Sequence, residues 1–137
     1  MNVQYEPSSE GCFVCGRNNP RGLHLEFTYD PHEAGVCASC TLQPYMQGYD
    51  RIVHGGFVGM LLDEAMAKAC LHGAFKAVTA KMEVRFSTPV YVGEEIRVCG
   101  RIEEVRGRRI TASASCTDRT GAVRATARAL FIRSSGS

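Results

Sequence analysis

The chain has 137 residues, enough to bury one continuous core but few for two domains. Hydrophobic residues make up 45% and charged residues 22% of the sequence, an ordinary globular composition that excludes disordered, collagen-like and membrane-spanning proteins. Sixteen Lys and Arg against fourteen Asp and Glu leave a net charge of +2, too little for the dense basic face of a nucleic-acid-binding protein. We therefore expect one globular domain with no nucleic-acid partner.

The amino-terminal residues show no export signal. Residues 1–11 are polar and include two Glu, so they lack the basic, apolar and small-residue regions of a secretory signal. No apolar stretch is long enough to cross a bilayer. The seven cysteines, an odd number, favour reduced thiols over a disulfide framework. These features predict a cytoplasmic protein that does not enter a membrane.

The first regular structure that the sequence predicts is a β-hairpin. Residues 23–29 alternate between apolar and polar side chains, residues 36–42 can be interpreted in the same way, and the intervening residues 30–35 include Pro and Gly, as turns do. Residues 1–21 are rich in Ser, Asn, Gly and Pro and show no sustained period. They predict an extended arm or loop.

One long helix is predicted from residue 57 to residue 71, directly after His54-Gly55-Gly56. Met, Leu and Ala dominate this stretch, and all three favour helix. His72 and Gly73 form a suitable end, since a glycine can adopt the left-handed conformation that often follows a helix. The stretch is apolar around most of its circumference, which predicts a buried helix.

Four strands are predicted after the helix, at residues 78–86, 95–105, 109–117 and 122–132, with turn signals between them. In the last strand one face alternates small and apolar residues and should meet the core. These residues are Val123, Ala125, Ala127, Ala129 and Phe131.

This order of elements predicts an α+β hotdog fold. In that fold a curved antiparallel sheet of five to six strands wraps around one central α-helix, and the sequence supplies two strands, a buried helix and then a meander of four strands. The small inward-facing alanines let a sheet close tightly around a helix. A generic α+β sandwich is the alternative, although it does not explain a helix that is apolar nearly all round.

The motif at the helix start resembles a known family. His54-Gly55-Gly56, followed by an apolar stretch that ends Leu61-Leu62-Asp63, is similar to the phenylacetyl-CoA thioesterase-like (PaaI-like) branch of the hotdog thioesterase superfamily. The resemblance covers roughly residues 22–133, which we take as the thioesterase domain. It leaves residues 1–21 as an amino-terminal arm and residues 134–137 as a disordered tail.

The resemblance implies a thioester hydrolase that acts on an acyl-CoA without a cofactor, coenzyme A being part of the substrate. It also implies a homodimer with the active site at the subunit interface. The sequence leaves open the acyl group, the pathway and whether two dimers pair into a homotetramer.

The residues themselves support a catalytic site at the helix. A helix start presents unpaired backbone N–H groups and a partial positive charge, and glycines there let a substrate oxygen approach closely. Glu64 has Lys68 four residues further on, the favourable orientation for an ion pair. Asp63 has no cation at that spacing, so on a buried helix it should lie in a polar pocket. We therefore favour Asp63 as the catalytic carboxylate and keep Glu64 among the substrate-site candidates.

The resemblance implies further roles by position. Gly55, with Gly56 beside it, would donate to the oxyanion, and Asp63 of the facing subunit would act as general base or nucleophile. Thr79 stands where the family has a Ser that holds the water. The family often has an Asn six residues before the His. Here that position is Gly48, and Gln47 is the candidate substitute; His54 would orient the loop, contact substrate or simply pack.

Two further sets of residues are candidates for substrate binding, the first for the acyl group and the second for the phosphates of coenzyme A. Ordinary core packing and a solvated hairpin are the respective alternatives. The acyl set is Phe57, Met60 and Leu61, and the phosphate set is Arg106, Arg108 and Arg109 with Arg85 or Arg133.

Two Cys-x-x-Cys pairs suggest a four-thiolate zinc site as an alternative. Cys37 and Cys40 lie in a predicted strand, where residues three apart point to opposite faces, so they cannot share a metal. Cys12 and Cys15, followed by Gly16, have the setting of a zinc knuckle. We predict no metal, while the residues leave the question open for this first pair.

Two other functions remain consistent with the sequence. One is an acyl-CoA-binding sensor that uses the same fold without turnover. The other is an acyl-thioester dehydratase or hydratase, which needs a His acting together with a carboxylate. His54 has no evident carboxylate partner in the sequence.

Overall fold

The computed structural model describes residues 9–134, which form a six-stranded antiparallel sheet around one helix. The predicted hotdog architecture is confirmed. The strands are β1 (Thr28–Asp30), β2 (Gly35–Thr41), β3 (Ala77–Phe86), β4 (Glu95–Arg106), β5 (Arg109–Asp118) and β6 (Val123–Arg133); the helix is α1 (Gly55–His72), and a short 3₁₀ turn spans Pro44–Met46.

The central helix begins and ends where the sequence predicts. His54 is its N-cap, and the buried side chains of α1 contribute to the core that the strands share. One detail of the prediction is wrong, because Gly73 keeps a negative φ of −81°. Ala74 takes the left-handed conformation instead, with φ 67°, and the N–H of Phe75 reaches back to the carbonyl of Cys70 at 2.8 Å.

Close approach of the helix to the sheet depends on Gly100 in β4. A Cβ atom at this position would lie 2.3 Å from the carbonyl oxygen of Ala65 on α1. The two backbones are therefore in contact at this point, and only glycine leaves the space. Facing alanines of β5 and β6 are buried on the same side of the sheet, as predicted for Ala125, Ala127 and Ala129.

The four carboxy-terminal strands lie within one residue of their predicted ends, but their neighbours differ from the prediction. The sheet order is β1-β2-β4-β5-β6-β3, so β4, β5 and β6 form a meander and β3 lies beyond β6 at an edge. The predicted meander of four strands is wrong in this respect. An alternating pattern specifies which face of a strand is buried, whereas the pairing of strands depends on how the chain crosses the helix.

The first strand is shorter than predicted, because residues 23–27 lie outside it. The N–H groups of Leu23 and Leu25 donate to the carbonyls of Phe13 and Val14, each at 2.8 Å. The alternating residues therefore run beside the amino-terminal segment before β1 begins. Val14 is buried in the core, so the described part of this segment packs against the domain.

Two of the seven cysteines are joined, which corrects the expectation of reduced thiols. Cys37 in β2 and Cys99 in β4 are directly opposite in the strand register and form a disulfide. Cross-strand register, which the sequence does not show, brings these sulfurs together. Because Cys37 is held in this disulfide, it cannot share a metal ion with Cys40, which is a free thiol.

The ends of the chain lie partly outside the described residues. Residues 1–8 of the predicted arm and 135–137 of the predicted tail are not described. Ser134, the first residue of that tail, is buried, and its N–H donates to the carbonyl of Lys76 at 2.7 Å. Among residues 9–134, no helix is both long and apolar enough to span a membrane.

Candidate active site

The loop before α1 is held against the turn that precedes β4. The N–H of Val53 donates to the carbonyl of Val90 at 2.8 Å, and that of Val92 donates to the carbonyl of Arg51 at 2.9 Å. His54 then donates its own N–H to the carbonyl of Met46 at 2.9 Å. These bonds fix the direction in which the first turn of α1 points.

The first two glycines of the helix have different environments. The imidazole Nδ1 of His54 accepts the N–H of Gly56 at 2.9 Å, so this N–H is already paired. The N–H of Gly55 has no acceptor among residues 9–134. Gly55 therefore has a backbone donor that remains available to a ligand, and the side chain of His54 caps the helix.

A cavity of about 320 Å³ opens beside Gly55. Its walls are mostly apolar, and α1 contributes Gly55 and Val58 to them. The other lining residues come from the loop before α1, from the end of β3 and the turn after it, and from β6. They are Tyr49, Ile52, Val53, Phe86, Ser87, Thr88, Pro89, Val90 and Ala125.

Asp63 lies two turns further along the helix and faces β3. Its Oδ1 accepts a hydrogen bond of 2.5 Å from the hydroxyl of Thr79. Burial raises the pKa of the Asp63 carboxyl above its ordinary value, and the negative charge of Glu64 adds to this, while the bond from Thr79 opposes it. The side chain is thus a partly desolvated carboxyl group held by one donor, which favours a role as a base.

One protomer cannot bring Asp63 and Gly55 to the same substrate carbonyl. The two residues are eight positions apart on α1, which corresponds to about 12 Å along the helix axis. An attacking group and an oxyanion donor must both lie about 3 Å from the reacting atoms. The two groups therefore lie at separate points on the molecule and cannot act together within one protomer.

Comparison with known proteins identifies the family. The family model of the thioesterase superfamily matches residues 51–125, which include the helix, Asp63 and Thr79. The chain belongs to the thioesterase superfamily. Solved structures of the superfamily share its fold: protein RHA08564 aligns with a TM-score of 0.81 and 27% identity over 87% of this chain and 61% of that one.

Two further solved structures resemble this thioesterase-superfamily chain in fold. The Escherichia coli PaaI protein has a TM-score of 0.73 and 19% identity over 81% of this chain and 80% of its own. The smu.793 protein from Streptococcus mutans, solved with acetyl CoA bound, has a TM-score of 0.70 and 15% identity over 80% of this chain and 88% of its own.

Curated relatives are longer proteins. Acyl-coenzyme A thioesterase THEM4 from Xenopus laevis is 25% identical over 82% of this chain and 52% of its own length. The protein of the same name from Bos taurus is 26% identical over 65% of this chain and 37% of its length. This superfamily member thus spans about half the length, or less, of the relatives that it matches.

The structure places two predicted polar residues away from the roles expected for them. Gln47 accepts the N–H of Arg51 with its Oε1 at 3.0 Å, so its side chain is used within the loop. Glu64 makes no ion pair with Lys68, although the structure describes both residues. Its Oε2 instead accepts from the thiol of Cys12 at 3.3 Å, because the amino-terminal segment packs over this face of the helix.

The predicted acyl-binding residues do not line the cavity in this protomer. Leu61 is completely buried and belongs to the core, and Phe57 and Met60 pack against that core. Helical spacing predicted buried positions correctly but could not separate core from cavity. Most of the other cavity residues come from loops, with Phe86 from β3 and Ala125 from β6. The turn predicted between β3 and β4 was the signal in the sequence for the loop part of this lining.

The predicted phosphate-binding arginines lie far from the cavity of their own protomer. Arg106, Arg108 and Arg109 belong to the β4–β5 hairpin, which lies next to the end of β6 and level with the start of β3. Phe86 ends β3 about 30 Å away along the strand. Arg106 pairs with Glu104, and Arg108 donates to the carbonyl of Arg133 at 3.1 Å. Arg85 is exposed on β3.

Proposed function

We propose that this protein hydrolyses acyl-CoA thioesters to a free acid and coenzyme A, with Asp63 as the catalytic carboxylate and the N–H of Gly55 as the oxyanion donor. The observation that carries the proposal is the half-buried Asp63, held by Thr79 on the central helix of a thioesterase-superfamily fold. The relatives named as acyl-CoA thioesterases and the fold shared with an acetyl-CoA-bound protein support the same substrate class.

The active form is proposed to be a homodimer formed through the β3 edges. Strand β3 ends the sheet, and its Met82 and Phe86 are exposed apolar residues. Antiparallel pairing of two β3 edges, about a two-fold axis between Met82 and Glu83, places Thr79 of one copy opposite Phe86 of the second.

This pairing completes the site. Thr79 holds Asp63, and the ring of Phe86 lies against Gly55, where a Cβ atom would be 3.3 Å from it. The pairing therefore brings Asp63 of one copy toward the Gly55 of the other. It also brings the β4–β5 hairpin toward the second copy's cavity, so the hairpin arginines remain candidates for binding phosphate across the interface.

The reaction follows from these positions. The thioester oxygen accepts a hydrogen bond from the N–H of Gly55 while the carboxylate of Asp63 takes a proton from water, which attacks the carbonyl carbon. The carbon–sulfur bond then breaks, and the departing thiolate takes the proton. Direct attack by Asp63 is the alternative course. Neither course uses a cofactor. In both, the apolar cavity beside Gly55 receives the acyl group.

Replacement of Asp63 by asparagine tests the proposal. We expect thiol release from a panel of acyl-CoAs to fall by about 10²–10⁴-fold in kcat/KM, the usual contribution of a positioned base. Glu95→Gln, which neutralises an exposed carboxylate elsewhere, should retain activity. Unchanged turnover in Asp63→Asn would reject the site, and binding of acyl-CoA without turnover by the wild type would favour a sensor.

The same variant should remain folded. Burial raises the pKa of Asp63, so the ionised carboxylate costs folding free energy that grows as the pH rises above the ordinary value for aspartate. Asparagine removes that cost at neutral pH. We expect Asp63→Asn to melt at the same temperature as the wild type or higher, which circular dichroism at pH 7 would measure.

A further inference from the structure

A cluster of two thiols and one carboxylate lies where the amino-terminal segment meets α1. The ligand atoms of Cys12, Cys15 and Glu64 are within 4.8 Å of one another, and all three residues are partly buried. We propose that this cluster binds a zinc ion, with the three side chains as ligands and a water molecule in the fourth position. The zinc proposal does not rest on the proposed hydrolysis.

The turn that carries the thiols has the shape of a metal-binding knuckle. The N–H of Cys15 points to the sulfur of Cys12 at 3.5 Å, and the N–H of Gly16 donates to the carbonyl of Cys12 at 2.8 Å. A Cβ atom on Gly16 would lie 2.4 Å from the backbone nitrogen of Cys12, so the turn requires glycine. Because the backbone turns this tightly, both sulfurs lie on the side of Glu64.

The distances suit a tetrahedral ion. With Zn–S near 2.3 Å and Zn–O near 2.1 Å, two sulfur ligands lie about 3.8 Å apart and a sulfur and an oxygen about 3.6 Å apart. The Sγ of Cys12 is 3.3 Å from the Oε2 of Glu64, and no pair of ligand atoms in the cluster exceeds 4.8 Å. Small side-chain rotations are enough to accept the ion.

The surrounding charges also favour a zinc ion over a plain thiol pair. Two thiolates and a carboxylate around Zn²⁺ leave one negative charge, and the side chain of Lys68, which contacts Cys15, balances it. A disulfide between Cys12 and Cys15 would leave Glu64 without its thiol donor, whereas a zinc ion would replace that hydrogen bond by direct coordination of the carboxylate. Two neutral thiols would offer this partly buried carboxylate only weak donors.

The bound ion would fasten two distant parts of the chain. Cys12 and Glu64 are 52 residues apart, and Glu64 directly follows Asp63 on α1. This proposal replaces the sequence-based expectation that no metal is bound. Helical spacing paired Glu64 with Lys68, so the sequence did not indicate Glu64 as a third ligand. The contact between Glu64 and Cys12 arises from the packing of the amino-terminal segment against α1.

Metal analysis of protein purified without chelator tests the site. We expect about one zinc per chain in the wild type and little in Cys12→Ser or Cys15→Ser. Cys40→Ser is the matched control, because Cys40 is also a free, partly buried thiol but lies outside the cluster, and this variant should retain zinc. Glu64→Gln should weaken zinc affinity by more than the roughly 10- to 100-fold that loss of an outer partner costs.

Two measurements on the intact protein do not depend on any variant folding. Cobalt(II) added to the zinc-free wild type should give a thiolate-to-cobalt charge-transfer band, and a chelator should lower the melting temperature of the zinc-loaded protein. A wild type that takes up neither zinc nor cobalt would overturn the proposal. So would zinc uptake that persists in both cysteine variants, or a Cys12–Cys15 disulfide in protein purified under reducing conditions.

Discussion

At the residue scale, the environment of each side chain decides what its chemistry can be. Asp63 and Glu64 are adjacent acids on one helix, yet they face different neighbours. Asp63 meets the hydroxyl of Thr79, whereas Glu64 meets the thiol of Cys12. The difference arises because consecutive helix positions are rotated by about 100° and therefore face different strands and segments.

The hydroxyl of Thr79 should shift the pH range in which Asp63 is ionised. This hydroxyl stabilises the carboxylate and lowers the pKa of Asp63, against the larger effect of burial. Thr79→Val removes this bond with little change of shape, so the pKa of Asp63 should rise further. We expect the acid limb of the kcat/KM profile to move to higher pH in Thr79→Val and to return in Thr79→Ser.

A merely structural role for Thr79 would give a different result. In that case Thr79→Val would lower activity equally at every pH. The two outcomes are separated by measuring thiol release from one acyl-CoA across the acid limb, with the melting temperature of each variant as a control for folding.

The N–H of Gly55 can be removed without changing the helix. Proline is favoured at the first helical position, and the preceding His54 already has φ −56° and ψ 132°, the extended conformation that proline requires of its neighbour. Gly55→Pro should lower kcat by about 10²–10³-fold, as loss of one oxyanion donor does elsewhere.

Gly55→Ala is the matched control for that substitution. It adds a Cβ atom, which proline also has, and the added atom meets the ring of Phe86 at 3.3 Å, but it keeps the N–H. We expect this variant to lose far less activity than Gly55→Pro. Equal activity of the proline and alanine variants would exclude this N–H as the oxyanion donor.

At the scale of the elements, a close contact between helix and sheet defines the core. Gly100 of β4 contacts the backbone of α1 at Ala65. The buried alanines of β5 and β6 have short side chains, so they also let the helix lie close to the sheet. Small residues therefore fix the distance between the two layers. That distance determines whether β3 can present Thr79 to Asp63.

Gly100→Ala should destabilise the fold strongly. The added Cβ atom would lie 2.3 Å from a helix backbone atom, which cannot move as a flexible side chain can. We expect the free energy of unfolding to fall by about 1–3 kcal/mol or more, which chemical denaturation would measure. Gly11→Ala is the control, because a Cβ atom there meets nothing within 4 Å, and it should change the free energy of unfolding little. Equal stability of the two variants would contradict the close contact at Gly100.

At the scale of the whole molecule, the proposed site depends on the β3 edges of two copies. Asp63 and Gly55 of one chain lie about 12 Å apart along α1, so the proposed site requires the second copy. Mixing inactive Asp63→Asn and Gly55→Pro chains, after unfolding and joint refolding, should therefore restore turnover. We expect about a quarter of the wild-type activity, because half of the randomly formed dimers are mixed and each mixed dimer has one intact site.

Failure of the mixture would contradict a shared site. If each chain carried a complete site, the mixture would be as inactive as its two components. Mass spectrometry of the mixture under native conditions would confirm that mixed dimers had formed, so that a lack of turnover could be interpreted.

Signals along the chain were enough to locate most of the elements and to select the main candidate residues. Local periodicity and turn residues placed α1 and the strands β3 to β6 within one or two residues, because these signals depend on neighbours along the chain. The motif from His54 to Asp63 indicated the thioesterase superfamily. The absence of a cation near Asp63 on the helix favoured it over Glu64 before any contact was known.

Features that join distant segments of the chain could not be predicted from these local signals. The position of β3 beside β6, the Cys37–Cys99 disulfide and the cavity beside Gly55 all arise from residues far apart in sequence. The same is true of Glu64, whose neighbour on the helix is Lys68 but whose hydrogen bond goes to Cys12. Patterns along a chain specify which face of an element is buried, and only packing in three dimensions specifies which residue it is buried against.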